Sequence, residues 1–259
     1  MLNHLSTAQN AAREAGKIIL KYYQNDFQIA RKSRNDPVTT ADYEADRYLR
    51  ETLLAATPNY GWLSEETKDS AERLSKKRVW VVDPLDGTRE FIRGIPEFVV
   101  SIGLVENGTP IMGVIYNPVT GEMIAGARGI PTLYNNEPVM LTARKNLAEA
   151  VIFTSRTEQA HGLWSHYQSY FKEIRGSGSV AYKMALTAIG QVDFFASLRP
   201  KNEWDICAGD FLIRNCGGIT LTREGSLILY NSPDPFIPHG LLAGPQHLMD
   251  EALPIFRLG

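Results

Sequence analysis

Val79-Trp80-Val81-Val82-Asp83-Pro84-Leu85-Asp86-Gly87-Thr88-Arg89-Glu90-Phe91 is the stretch on which the rest of the chain is read. Of its first five residues four are apolar, and three of those are valine. Such a run reads as a buried strand. The apolar run stops at Asp83, and Pro84 has no N–H to offer a ladder, so the strand is expected to end there. Asp86-Gly87-Thr88 then reads as a Gly-centred turn. A hydrophobic strand therefore ends by presenting two carboxylates, three residues apart, beside a backbone that a ligand can approach closely.

Working outward, 259 residues at 44% hydrophobic content can bury a large core, as one big domain or two intimately packed halves. The formal net charge of −2 gives no global field for nucleic acid. No 18-residue apolar run marks a membrane span. The opening residues, MLNHLSTAQNAAREAGK, lack the basic start and apolar stretch of a signal peptide. On one helix the two cysteines, Cys207 and Cys216, would be separated by ~13 Å of rise, too far for a disulfide, which needs Cα atoms within roughly 7 Å. They read as free thiols of a reduced, cytoplasmic protein.

Upstream, Leu5, Ala8, Ala11, Ala12, Ala15, Ile18, Ile19 and Tyr22 recur at helical spacing. A polar link ends at Asn35-Asp36-Pro37. Thr39 or Thr40 then caps a second helix with Asp42 in its first turn. Tyr60 to Ser64 reads as a strand running into Glu65-Glu66. Downstream, Phe98 to Val105 and Ile111 to Tyr116 flank Glu106-Asn107-Gly108, a hairpin signal. Strands follow at Met123 to Ala127 and Thr132 to Tyr134. The first half is thus two helices on a mostly antiparallel sheet. The second half alternates: strand Val151 to Thr154, helix His161 to Phe171, Gly176-Ser177-Gly178-Ser179 before a helix ending at Ile189, and strand Val192 to Ala196. A helix then begins at Asp205 and stops at Gly217-Gly218. Strands at Ile219 to Leu221, Leu227 to Leu229 and Leu241 to Ala243 precede a last helix, Gln246 to Phe256. This is an α/β pattern, with halves 1–145 and 146–259 meeting near Ala143 to Ala150.

Glu65, Asp83 and Asp86 end or follow apolar strands, where side chains point into clefts. Burying such carboxylates ionised is costly unless a cation neutralises them, and Mg²⁺ is the natural partner of carboxylate and carbonyl oxygens. The plainer reading is a Pro-Asp-Gly turn, and spacing alone does not choose. Asp42 and Asp205 have a structural reading as first-turn acids. Ser177-Gly178-Ser179 either holds an anion on free N–H groups or caps a helix. Arg199, Lys201 and Glu203 lie between a strand and a helix and either bind an anion or form a solvated loop.

Four segments together resemble the inositol monophosphatase superfamily: Asp83-Pro84-Leu85-Asp86-Gly87-Thr88; Leu63-Ser64-Glu65-Glu66; Trp204-Asp205-Ile206-Cys207-Ala208-Gly209 with Gly217-Gly218; and Asp36-Pro37-Val38-Thr39-Thr40-Ala41-Asp42. They occur in family order across nearly the whole chain. The resemblance implies a layered αβαβα sandwich, a homodimer, and a metal-dependent phosphatase acting on a small phosphorylated metabolite. It implies two or three Mg²⁺ ions: Glu65, Asp83 and the Leu85 carbonyl at the first, Asp83, Asp86 and Asp205 at the second, with Glu65 sharing a third. It further implies a Thr88–Asp42 pair orienting the attacking water, and backbone N–H groups of Gly87 and Thr88 cradling phosphate.

Within that superfamily, Arg89-Glu90-Phe91 and Lys201-Asn202-Glu203-Trp204-Asp205 look like the 3'(2'),5'-bisphosphate nucleotidase branch. Gly94-Ile95-Pro96 and Val99-Val100-Ser101-Ile102-Gly103 resemble the inositol phosphatase pattern. Ser197-Leu198-Arg199-Pro200 lacks the carboxylate with which inositol phosphatases hold a sugar hydroxyl, and Arg there suits a second anionic group. The expected substrate contacts are Asp86, Gly87, Thr88, Gly178, Ser179, Arg199 and Lys201. A bisphosphorylated nucleotide is the leading expectation, inositol monophosphate the alternative, then histidinol phosphate and fructose 1,6-bisphosphate. A binding or regulatory protein with secondary catalysis is the reading from another class.

Overall fold

The computed structural model describes residues 1–33, 36–141 and 146–257. Helix α1 (Leu2–Tyr22) buries the stripe Leu5, Ala8, Ala11, Ala12, Ala15 and Ile19 that its spacing predicts. Strands β1 (Ile29–Ser33) and β2 (Asp36–Thr39) form an antiparallel pair where a polar link was expected; Asn35 lies outside the described residues. Helix α2 (Thr40–Ala56) starts from Thr39 through a capping box closed by Asp42.

Strand β3 (Gly61–Ser64) pairs in parallel with β4 (Arg78–Asp86), which contains the quoted stretch's apolar run. Contrary to expectation, β4 does not end at Asp83. Asp83 opposes Ser101 and Asp86 opposes Val99, so an extra residue is accommodated in a bulge that contains Pro84. A proline costs no ladder bond where the ladder is already interrupted. Helix α3 (Thr88–Ile92) follows at once. Strands β5 (Val99–Glu106), β6 (Thr109–Tyr116), β7 (Met123–Ala127), β8 (Ile130–Tyr134) and β9 (Glu137–Pro138) complete a seven-stranded sheet in the order β3-β4-β5-β6-β7-β8-β9, antiparallel after the first pair.

Strand β10 (Val151–Ser155) leads into α4 (Arg156–Ala160). The helix expected at His161 to Phe171 is instead this short turn of α-helix and a separate 3-10 segment at Ser165–Tyr170, broken at Gly162, whose φ is +72°. Strand β11 (Glu173–Ser177), helix α5 (Val180–Ala188), strands β12 (Phe194–Ser197) and β13 (Lys201–Asn202) and helix α6 (Glu203–Asn215) follow. Asn202 caps α6, so Asp205 sits in its first turn rather than at its start. Strands β14 (Gly218–Thr222), β15 (Phe236–Ile237) and β16 (Leu241–Pro245) precede α7 (Gln246–Arg257). Leu227 to Leu229 is not a strand; both leucines are exposed, and the pairing partner of β13 is β15. The second main sheet runs β11-β10-β12-β16-β14, parallel about β10 and antiparallel about β16.

Side-chain alternation sorts these sheets into layers. From β4, Trp80 and Val82 pack under α1 and α2, while Val79 and Val81 pack against α5 and α6. From β12, Phe195 faces that same middle core, and Phe194 and Ala196 face α7. The layers are therefore αβαβα, as the resemblance implied. Helix α6 lies close on the first sheet because Gly103 and Gly113 offer no side chain: a Cβ at Gly103 would sit 2.5 Å from Cys207 Sγ, and one at Gly113 would sit 2.4 Å from the Ala208 carbonyl oxygen. This close contact brings Asp205, at the head of α6, to the end of β4. Both cysteines are free thiols. No helix among the described residues is long and apolar enough to cross a membrane. The expected junction of the two halves, near Ala143, falls partly outside the described residues.

Candidate active site

Three chain ends meet at the bulge in β4. Glu65 leaves β3 with its N–H donating to the Val82 carbonyl at 3.3 Å. Asp83 is buried on β4 and its Oδ1 accepts from the Leu85 N–H at 3.0 Å. Asp205 reaches in from α6 with Oδ2 accepting from the Asn202 N–H at 2.8 Å. Carboxylate oxygens of Glu65, Asp83 and Asp205 all lie within 4.8 Å of one another. Burial pushes the Asp205 carboxyl up to about 8, with the Asp86 and Glu65 charges adding to the effect. Burial, then the charges of Glu65, Asp86 and Asp205, push Asp83 well above the usual carboxylate range. Both directions describe a cluster short of positive charge. The donor set is all oxygen, which suits a hard divalent cation.

Asp86 lines the same cleft but is tied differently. Its Oδ2 accepts from Ser179 Oγ at 2.8 Å and from the Ala181 N–H at 2.5 Å, joining β4 to the start of α5. Burial pushes it up to about 6, while those two bonds and Lys183 pull it down. Gly87 caps α3 with φ +107°, and a Cβ there would lie 2.8 Å from the Glu97 carbonyl oxygen. Only glycine fits that turn without strain.

Asp42 both caps a helix and meets Thr88. Its Oδ2 closes the cap of α2, accepting from Thr39 N–H at 2.8 Å and Thr39 Oγ1 at 2.5 Å. Its Oδ1 lies 3.0 Å from Thr88 Oγ1, which is also 3.2 Å from the Leu85 carbonyl oxygen. Burial raises Asp42 to about 6 against the opposing hydrogen bonds of Thr39 and Thr88.

The cleft, about 230 Å³, is bounded by Glu65, Asp83, Leu85, Asp86, Gly87, Thr88, Gly178, Ser179 and Asp205. Asp42 stands behind Thr88. Arg199 and Lys201 do not line it. The Arg199 guanidinium lies 2.8 Å from His161 Nδ1, and the Lys201 ammonium donates to the carbonyls of Arg199 and Pro200. Residues that were not anticipated line it instead. Buried Lys183 donates to the carbonyls of Ser177 and Gly178 at 3.0 and 2.6 Å, and burial lowers it to about 8. Arg156 pairs with Glu90 at 3.2 Å and Glu97 at 2.7 Å, and Glu97 also accepts from the Gly178 N–H at 2.7 Å. Lysine at the fourth position of α5 reads from sequence as a solvated side chain; only the turn before that helix hinted at a polar environment.

The chain matches the Inositol monophosphatase family model over residues 2–256. It is 35% identical over 231 residues to an inositol-1-monophosphatase of Rhizobium meliloti, covering 85% of this chain and 86% of that one. It is 32% identical over 225 residues to the Nus factor SuhB of Xylella fastidiosa, covering 83% and 80%. Its fold superposes on an IMPase of Thermotoga maritima with a TM-score of 0.88 at 25% identity, covering 99% and 97%. A match running through β4, the carboxylate cluster and α6 alike leaves one assignment: the chain belongs to the inositol monophosphatase family of phosphatases.

Proposed function

We propose that this chain is a Mg²⁺-dependent phosphomonoesterase of small metabolites, with Glu65, Asp83, the Leu85 carbonyl, Asp86 and Asp205 as the metal-holding groups. The observation that carries this is the mutual approach of Glu65, Asp83 and Asp205 within 4.8 Å. Such a cluster is unfavourable without a cation. A bound divalent cation supplies charge neutralisation for a phosphate dianion and acidity for a water molecule. The remaining chemistry belongs to side chains. Thr88 Oγ1 has one proton and two lone pairs; donating to Asp42 Oδ1, it keeps acceptor capacity toward a water in the cleft. Asp42, raised to about 6, is suited to draw a proton through Thr88 near neutral pH. The serines of the cleft are engaged elsewhere: Ser179 Oγ donates to Asp86, Ser177 Oγ to Glu97 at 2.9 Å, and Ser155 Oγ accepts from the Glu158 N–H. Direct attack by water is the mechanism this supports.

The leading substrate in this reading is a 3',5'-bisphosphorylated nucleotide. The Ser197–Arg199 loop presents no carboxylate to a sugar hydroxyl. The nearest one, buried Glu158, accepts from Ser197 Oγ, Leu198 N–H, Arg199 N–H and Trp164 Nε1, so it is fully occupied. The second reading is inositol 1-phosphate, favoured by the name of the Rhizobium meliloti relative. A homodimer in the cytoplasm belongs to the same proposal, with dimer mass by light scattering as its check. The deciding test is Mg²⁺-dependent phosphate release from adenosine 3',5'-bisphosphate, inositol 1-phosphate, histidinol phosphate and fructose 1,6-bisphosphate, ranked by kcat/KM. Metal binding without release from any of them would replace the enzyme reading with a binding or regulatory role.

A further inference from the structure

Glu65 stands where regular structure stops. Strand β3 lies at the edge of its sheet beside β4, and its ladder ends at Ser64 opposite Val82. Residues 65–70 form neither helix nor strand. A backbone bond to the Val82 carbonyl ties Glu65 to β4, but the course of the chain on either side of it has to be fixed by other groups. Asp46 does this. Its Oδ1 accepts from Ser64 Oγ and its Oδ2 from Thr67 Oγ1, both at 2.5 Å. We propose that Asp46 is a positioning residue: by gripping Ser64 and Thr67 it aims the intervening Glu65 carboxylate at Asp83 and Asp205, and so sets the affinity of the cluster for a divalent cation.

Asp46 is buried and stands apart from the residues that bound the cleft. It follows Asp42 by one helical turn on the same face of α2, with a rise of about 6 Å between them. Asp42 reaches Thr88, just past the end of β4, and Asp46 reaches the end of β3. Ala41, Ala45, Leu49 and Leu53 bury the other contacts of the helix in the core. One packed helix thus braces both strand ends that carry the cluster. The clamp needs a carboxylate, because two hydroxyls donate to it and both of its oxygens must accept. Thr67 Oγ1 also accepts from Trp62 Nε1 at 3.2 Å, which leaves its own proton for Asp46. An asparagine would accept from one hydroxyl only and would turn its NH₂ toward the other. Hydrogen bonds to an ionised carboxylate are roughly twice as strong as neutral ones, so the pair stiffens a turn that no ladder supports. Groups that orient a metal ligand from behind typically change metal affinity or activity about 10- to 100-fold.

The proposal rests on Glu65 being a metal-holding group, and the experiment separates the two. Wild type, Thr67→Val, Thr67→Ser and Asp46→Asn are titrated calorimetrically with Mg²⁺, and each is melted in chelator. Thr67→Val keeps the shape and removes the hydroxyl, whereas Thr67→Ser keeps the hydroxyl. Mg²⁺ should bind Thr67→Val and Asp46→Asn at least about 10-fold more weakly than wild type, with Thr67→Ser within about 2-fold. In turnover the Mg²⁺ concentration for half-maximal rate should rise by the same factor, while KM for the substrate at saturating Mg²⁺ stays unchanged. A lower melting temperature in chelator with unchanged Mg²⁺ affinity would reduce Asp46 to a structural tie and overturn the proposal. Equal losses of affinity in Thr67→Ser and Thr67→Val would overturn it too. Should Asp46→Asn fail to fold, the two Thr67 variants decide by themselves. If wild type binds no Mg²⁺, the metal-holding reading fails and the positioning role falls with it; if wild type binds and Thr67→Val binds equally well, only the positioning role falls.

Discussion

Stripping the metal should make this protein's stability fall as pH rises from 6 to 8. Asp205 has a folded pKa of about 8 against an ordinary 3.8. A carboxyl with a raised folded pKa holds its proton longer in the native state than in the unfolded chain. Its stabilising contribution is therefore complete below the unfolded pKa and is lost as pH climbs through the folded one. Asp86 and Asp42, both near 6, have lost most of theirs before the window opens, whereas Asp205, whose loss runs from 3.8 up to about 8, is still losing it throughout the window. One proton retained by the native state costs about 1.4 kcal/mol per pH unit, hence about 2–3 kcal/mol over the window. Asp205 is only half-buried at the cleft wall, so water and counterions take up part of this, and about 1–1.5 kcal/mol remains. For a chain of this size that is roughly 3–5 °C in Tm. Lys183, lowered to about 8, acts with the opposite sign, chiefly above that value, which sets the upper edge of the window. The assay is a thermal melt in chelator at pH 6 and 8, repeated with Mg²⁺. Magnesium at about 100 times its Kd adds about 2.7 kcal/mol, and the gain should be larger at pH 8, where protons no longer compete. Asp205→Asn should flatten the slope in chelator. Equal melting temperatures at the two pH values in chelator, or a Mg²⁺ gain independent of pH, would refute the reasoning that the cluster is held together only by protons or a cation.

Three further outcomes follow from the same geometry. Asp86→Asn should abolish turnover by at least about 10³-fold with little change in the far-UV circular dichroism, and near-normal turnover at ordinary Mg²⁺ would remove Asp86 from the site. Hydrolysis in ¹⁸O-water should place the label in phosphate; label in the alcohol would contradict attack at phosphorus. Gly87→Ala forces a side chain into φ +107° and against the Glu97 carbonyl oxygen; it should cost about 1–3 kcal/mol, read as a lower Tm, together with lost activity as the Asp86–Thr88 turn is displaced.

Local chemistry wrote much of this molecule directly into the chain. The stripe of α1, the Thr39–Asp42 cap, the Asn107-Gly108 hairpin and the double-sided burial of β4 each depend on residues within a few positions of one another. The residue types at the end of β4 likewise announced a carboxylate cleft before any distance was known. Where the local reading erred, a distant partner decided. Pro84 stays within β4 because β5 tolerates a bulge opposite it. Leu227 to Leu229 has strand-like residues, but the edge of β13 is taken by β15.

Sequence by itself determined the kind of chemistry, because Asp83, Asp86 and Thr88 lie within six residues and Glu65 and Asp205 carry recognisable flanks. The tertiary structure alone decided which groups share the space beyond them. Arg156 meets Glu90 and Glu97 across 66 and 59 residues, and five arginines from four segments converge on one wall. No spacing rule encodes such encounters. They depend on how closely α3, α4 and the Ser197–Arg199 loop pack, which is set by cores far from the arginines themselves. For β4 this leaves a sharper role: its bulge is the fixed edge from which the carboxylate cleft opens on one side and an arginine-lined wall on the other.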